Sequence, residues 1–550
     1  MPSVLVELDA AAEEHLRADP SAADIEAALR NDVMVRELAK VCREMLFASL
    51  RRMEVFQAPG ERHSAPELIR RLGVVDEHTS LFRALLGILT DDGLLRAEGE
   101  ELVTTDRVAD PAPLRWEPDR LEALKREVTG HYPEMEGYFR LLTSCLGEFP
   151  AILTGRRKAH EVLFPDGSFD AVEAVYHSDQ DTNALVAQLV AAYARARLAR
   201  DPGAEVSVLE IGAGTGGTTA KVLPALDGLQ DRLRYAYTDI SRSFTLYGRN
   251  RYAKDHPFLS FQQLDIESPP TEQGFEAGAY DVVLACNVLH ATRRIDDSLA
   301  HARQLLRPGG VLILLETTRV QEFFTLTFGL MAGWWAFQDH ERRLPGSPLL
   351  SVALWRQALE QGGFRAVRSL SLAPVREDQA YQAVVLAENE GAVTDTAAAL
   401  PPLPAQAPVA APVAVPAEPP VAADPVPAAD PVPAADPVPA ADPVPAADPV
   451  PAAEPAEAAA GSLQAMVVDA WREVLGVASA RPEDDFQELG GDSILATQVI
   501  SRLKSGFPIE LDLGELFQAR TLADMVAMLE AELVERIEEL PEDTVATLLA

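Results

Sequence analysis

The sequence predicts an α/β fold and a smaller all-α fold on one chain, held apart by a tether, and three observations predict it. Between about 206 and 315, four short apolar runs (VSVLEIG, LRYAYTD, YDVVLAC and GVLILLE) alternate with helical patterns, the texture of a doubly wound parallel sheet whose crossover helices cover both faces. From about Thr394 to Ala460 the chain is almost wholly Ala, Pro, Val, Asp and Glu, and it repeats DPVPAA five times from Asp424. Beyond that, Ser462 to about Glu532 is a compact helical pattern.

In chain order, Asp24 to Met53 carries apolar residues at helical spacing. SAPELIRRLGV and the segment from Thr79 to Thr105 then predict two helices followed by a short hairpin, a winged-helix-like pattern. This segment is not strongly basic, which favours a packing or lid role over DNA binding. The α/β unit follows. Proline fixes φ and lacks an N–H, so the repeat region excludes both helix and sheet. A six-residue unit with so little large apolar content has no core to stack, so the region is expected to be a disordered, semi-rigid linker rather than a solenoid, extending about 3 Å per residue where stretched. The expected division is a helical lid region over 1–130, the α/β unit over 131–392, a Pro/Ala-rich linker over 393–460, a four-helix unit over 461–532 and an acidic tail over 533–550. The tail ends in TVATLLA and is a candidate docking peptide.

The formal net charge of −37 disfavours a nucleic-acid partner, which needs a clustered basic face. Cys42, Cys145 and Cys286 lie far apart with no CxxC pair, which argues against disulfides and zinc and suits a cytoplasmic location. The first residues scatter acids through their apolar positions, unlike a signal peptide. No uncharged apolar run outside the linker is long enough for a membrane span.

LEIGAGTGG (209–217) joins a strand to a helix. Glycines there let a ligand approach the backbone, and the helix start offers unpaired N–H groups. Gly212, Gly214 and Gly217 also satisfy the dinucleotide pattern GxGxxG, so the loop alone admits a nicotinamide cofactor as well as S-adenosyl-L-methionine. Glu210 favours the latter, because a carboxylate there suits a cationic methionine end and would repel a pyrophosphate. Asp239 ends the next strand, placed for two ribose hydroxyls, and Asp265 follows the third, in reach of an adenine amino group. The candidate cofactor residues are Glu210, Gly212, Gly214, Gly216, Asp239, Asp265 and Asn287.

From about 130 to 375 the chain resembles the C-methyltransferase domains of polyketide synthases. The resemblance rests on LTGRRKAHEVLFPDG (153–167), AVYHSDQDTN (174–183), LEIGAGTGGTT, YTDIS, ACNVLHAT (285–292), LLRPGGVLILLETT and FGLMAGWWAFQDHERRLPGSPLLS (328–351). It implies a Rossmann-like class I methyltransferase that alkylates carbon. Carbon methylation needs a nucleophilic carbon, and the α-carbon of a β-ketoacyl thioester is acidic enough for one placed base. His290 lies just past a strand end, where doubly wound sheets bind ligands, and imidazole is a suitable base at neutral pH. Glu316 ends the next strand, placed to hold the imidazole tautomer and stabilise the imidazolium. The family is understood to use such a His–Glu pair, and Tyr176 resembles an active-site tyrosine of the family. Trp334 and Trp335 are either channel-lining or core residues. Arg342 and Arg343 either meet a pantetheine phosphate or are surface charges.

The last unit contains GGDSI at 490–494 at the start of an apolar-periodic helix. A serine there could simply be an N-cap, but the whole pattern from LQAMVVDAWREVLG through ELFQARTLADM resembles acyl and peptidyl carrier domains. That resemblance implies 4'-phosphopantetheine on Ser493, attached by a phosphopantetheinyl transferase. No ketosynthase, acyltransferase or reductase fits in the remaining residues, so the expected partners are a carrier-bound acyl thioester and separate polyketide or nonribosomal peptide synthase proteins. O-methylation of a tethered intermediate, or a vestigial methyltransferase acting as scaffold, are the alternatives.

Overall fold

The computed structural model describes residues 5–18, 25–109, 118–176, 180–370, 380–390, 463–506 and 519–538. The linker, residues 539–550 of the acidic tail and the place of a fourth carrier helix (507–518) lie outside the described residues.

The central sheet contains β4 (Val206–Ile211), β5 (Leu233–Asp239), β6 (Leu259–Gln263), β7 (Tyr280–Cys286), β8 (Leu306–Thr317), β9 (Phe364–Leu370) and β10 (Gln382–Asn389) in the order β6-β5-β4-β7-β8-β10-β9. The four sequence-predicted strands are its middle. Strands β6 to β8 pair in parallel, and β10 runs antiparallel to both neighbours. Period-two alternation splits the side chains between two layers. Val206, Val208, Val282 and Leu284 pack with the Gln180–Arg200 and Leu5–Ala18 helices. Leu209, Ile211, Val283 and Ala285 pack with the Ile295–Leu305 and Val352–Gln361 helices. Burial on both faces explains why these strands read as unbroken apolar runs.

Strand order reverses between β4 and β7, since the chain winds outward to β5 and β6 in one direction and returns to β7 and β8 in the other. A crevice outside the carboxyl ends at this switch point is where such sheets bind ligands.

The N-terminal region forms its own core from the helices Ile25–Arg52, Thr79–Asp91 and Glu136–Leu153, joined by Phe323, Leu326 and Leu330 from beyond β8. The expected two helices and hairpin are present as Ala65–Leu72, Thr79–Asp91 and the β2–β3 pair (Leu95–Glu98, Glu101–Thr104), with β1 (Arg62–Ser64) added on the far side of β3. In the carrier, the helices Leu463–Leu475, Ser493–Gly506 and Leu522–Glu538 enclose Trp471, which meets Phe486 edge-on and donates to Met525 Sδ. No described helix is long and apolar enough to cross a membrane.

Candidate active site

The loop after β4 turns on three glycines with positive φ, Gly212 (61°), Gly214 (57°) and Gly216 (77°), which non-glycine residues rarely adopt. Gly217 does not share this positive φ, so the turn itself rests on Gly212, Gly214 and Gly216. A Cβ at Gly212 would sit 2.6 Å from the Val288 methyls, whereas one at Gly214 would meet nothing closer than 4.0 Å. The loop is therefore packed against the β7 side at one glycine and open at the next.

Two buried carboxylates support it. Asp239 accepts from Gly214 N–H (2.9 Å) through Oδ2 and from Ser241 N–H (2.8 Å) through Oδ1. Burial raises its pKa to about 6, with Asp492 of the carrier adding to the rise. Glu210 Oε2 accepts from Tyr235 Oη (2.6 Å) and Thr219 Oγ1 (2.5 Å), and burial pushes its pKa up to about 7 against those hydrogen bonds. Two buried acids with an open glycine between them fit a cationic cofactor better than a polyanion, because a positive charge would offset the desolvation that raises both. Sequence reasoning found the acids but not Tyr235 and Thr219, which aim one of them.

Asp265 takes a different local role from the one expected. Its oxygens accept from Glu267 N–H (2.9 Å) and Ser268 Oγ (2.8 Å), so it caps the turn after β6. Each oxygen keeps a second lone pair for a ligand. Asn287 (φ 54°) likewise fastens strand ends, its Oδ1 accepting from Thr317 N–H and Oγ1 at 2.9 and 3.0 Å.

His290 and Glu316 meet as the sequence suggested. His290 is 5% exposed and Glu316 is fully buried. Their contact is His290 Nδ1 to Glu316 Oε2 at 2.5 Å, while Glu316 Oε1 accepts from Leu289 N–H (3.0 Å) and Val288 N–H (3.3 Å). A carboxylate only accepts, so Nδ1 carries a proton, and in the neutral imidazole Nε2 then presents its lone pair. Trp334 stands edge-on to the imidazole, centroids 5.6 Å apart. Trp335 instead donates to the Gly329 carbonyl (2.7 Å) and packs on the N-terminal core. The pair thus divides, one ring at the site and one in the core. Tyr176 closes the Asp170–Tyr176 helix, and its side chain lies outside the described residues.

Arg342 and Arg343 are not surface charges, since both are buried and held by partners within the protein. Arg342 is held by Gln361 (2.6 Å) and Asp296 (2.7 Å). Arg343, its side chain fully buried, pairs with Asp339 (2.7 Å) and donates to the carbonyls of His290 (2.7 Å), Thr292 (2.9 Å) and Pro348 (2.8 Å). Asp339 in turn accepts from Ile295 N–H (2.7 Å). Arg343 fixes the backbone at His290. Arg343→Ala is expected to lower stability by about 3–5 kcal/mol, because it strands Asp339 in the interior. Chemical denaturation checks this.

A methyltransferase-domain family model matches residues 209–312, and a phosphopantetheine attachment site model matches 466–529. The solved DszA carbon methyltransferase is 38% identical, with a TM-score of 0.63, over 68% of this chain and 94% of that one. The chain belongs to the polyketide synthase C-methyltransferase family. The CurJ carbon methyltransferase is 30% identical over 69% of this chain and 99% of that one, with a TM-score of 0.61. Among curated proteins, polyketide synthase PksR of Bacillus subtilis is 40% identical over 263 residues, 47% of this chain. This C-methyltransferase spans only 10% of PksR. It is an S-adenosyl-L-methionine-dependent enzyme carrying a phosphopantetheine-binding carrier.

Proposed function

We propose that the enzyme methylates the α-carbon of a β-ketoacyl thioester carried on phosphopantetheine at Ser493, during polyketide or polyketide–peptide assembly. The observation that carries this reading is the buried His290–Glu316 pair at the switch point, with Nε2 left as acceptor. His290 Nε2 takes the α-proton, and the C–H electron pair passes into an enolate conjugated with the two carbonyls. Glu316 holds the resulting imidazolium. Bound S-adenosyl-L-methionine would supply an electrophilic methyl group: the enolate carbon would take it as the S–CH3 bond breaks, the electron pair staying on sulfur and S-adenosyl-L-homocysteine leaving. Glu210 is assigned to the cationic end of the cofactor, Asp239 to the ribose and Asp265 to the adenine. Gly212, Gly214, Gly216 and Asn287 shape the pocket, and Tyr176 is assigned to the acyl side. Other synthase proteins and a phosphopantetheinyl transferase are the proposed partners.

The test loads the holo-carrier with a β-ketoacyl group, adds cofactor with a labelled methyl and locates the label by mass spectrometry. Label on the α-carbon is expected. Label on an oxygen, cleavable as an ether or ester, overturns the carbon assignment.

The Glu210 assignment gives a pH dependence. In the empty site its folded pKa of about 7 lies above the ordinary carboxylate value. The protonated form therefore favours the empty fold at low pH, an advantage lost as pH rises through about 7. A cationic ligand selects the carboxylate, so binding near pH 7 should release protons and weaken by at most about tenfold per pH unit below that. Titration calorimetry in two buffers of different ionisation enthalpy is expected to show this release, and Glu210→Gln is expected to abolish it.

A further inference from the structure

The carrier does not stand apart from the methyltransferase. Asp492, the residue before the attachment serine, accepts from Ser241 Oγ through Oδ2 (2.6 Å) and from Ser243 Oγ through Oδ1 (2.5 Å). Gln498 Nε2 donates to the Gly167 carbonyl (2.9 Å), and Arg242 donates to the Leu475 carbonyl (3.1 Å). Apolar contacts continue the seam. Ile494 joins the N-terminal core, and Leu246 of the Arg242–Tyr252 helix packs on the carrier core. The fit is close, since a Cβ at Gly167 would lie 2.3 Å from Gln498 and one at Gly490 would lie 2.5 Å from Arg242.

We infer that this seam is a docking surface through which the carrier presents its own thioester arm to the methyltransferase of the same chain. The inference rests on the proposed reaction and adds its route of delivery. The seam's position supports it. Ser241 donates its backbone N–H to Asp239, which holds Gly214 of the cofactor loop, so the docking contact adjoins the proposed ribose site. Strands β5 and β7 are separated by β4 alone, so their carboxyl ends, Asp239 on one and His290 four residues past the other, are about 10 Å apart on the same side of the sheet. An arm on Ser493 starts on the edge where the base waits.

The chemistry of the seam is suited to release. One carboxylate on two hydroxyls, one amide and one guanidinium each on a carbonyl, and a few apolar side chains make a small interface. Covalent connection supplies the local concentration that such an interface needs. Docking also occupies Asp492 and Gln498, flanking the attachment serine. A protein that reads this face, including one that installs the arm, must therefore meet the carrier undocked.

Leu246→Glu on the methyltransferase side and Gln498→Glu on the carrier side test the inference in the full chain, and neither residue belongs to the proposed catalytic or cofactor site. With the loaded carrier, single-turnover methylation by the unmodified chain is expected to have a rate constant independent of protein concentration. Each variant is expected to slow it by about tenfold or more, as effective concentration falls. The rate on a free β-ketoacyl N-acetylcysteamine thioester should stay nearly unchanged. A carrier rate proportional to protein concentration, or unaltered in both variants, overturns docking within the chain. Inactivity of the unmodified protein on both substrates overturns the proposed reaction instead. Hydrogen exchange then decides docking by itself: amides of 241–247 and 165–168 should exchange more slowly in the unmodified chain than in either variant. Equal exchange in all three overturns the inference.

Discussion

His290→Ala is expected to lower the rate constant of methyl transfer by about 10²–10⁴-fold, the usual contribution of a positioned general base. The imidazole is buried beside Trp334. Cofactor affinity should hardly change, because the cofactor contacts assigned to Glu210 and Asp239 lie on β4 and β5, across the switch point. Mass spectrometry of the loaded carrier measures the first quantity and titration calorimetry the second. An unaffected rate sinks the assignment of the base. Glu316→Gln separates positioning from proton transfer. It keeps the shape but replaces one acceptor oxygen by a donor, against either His290 Nδ1–H or the N–H groups of Val288 and Leu289. A tautomer switch that hands the proton to Nε2 would remove the base while leaving the ring in place.

Much of this site was legible before the fold, and the reason is local. A parallel strand buried on both faces announces itself as an apolar run, so Glu210, Asp239, His290 and Glu316 could be placed at strand ends by counting. The glycine loop was ambiguous by spacing, and what favours a cationic cofactor is the pair of buried carboxylates, Glu210 and Asp239, that support it. What stayed hidden depends on contacts distant in sequence. Arg343 looks like a surface charge or a phosphate ligand, because Asp339 alone does not show that the pair is buried under the His290, Thr292 and Pro348 carbonyls. The two tryptophans share one local pattern, yet Trp334 meets the imidazole and Trp335 packs on the N-terminal core. Strand β9 was missed because its burial is interrupted, only Phe364 and Val367 of FRAVRSL being buried. Ser241 and Asp492 are 251 residues apart, and nothing in either segment names the other.

Ser493→Ala is expected to remove the phosphopantetheine mass gain entirely, and with it all methylation of a tethered substrate, while leaving the carrier folded. The last clause follows from which residue caps the helix. A serine opening a helix usually accepts from the second or third N–H. Here Asp492 does that, its Oδ1 accepting from Ile494 N–H (3.1 Å) and Leu495 N–H (2.9 Å). Ser493 is the first residue inside the helix, so its hydroxyl is not the cap and alanine, a good helix former, suits its place. The melting temperature of the carrier transition should therefore barely move. Asp492→Ala is the contrasting variant: it removes the cap and the hydroxyl contacts to Ser241 and Ser243, and should cost about 0.5–2 kcal/mol of helix stability from the cap alone. Intact-mass spectrometry after incubation with a phosphopantetheinyl transferase and coenzyme A reads the modification, and thermal unfolding reads the fold. A mass gain on the Ser493→Ala chain would move the attachment site elsewhere. Lost mass gain together with a collapsed carrier transition would return the serine to a structural role.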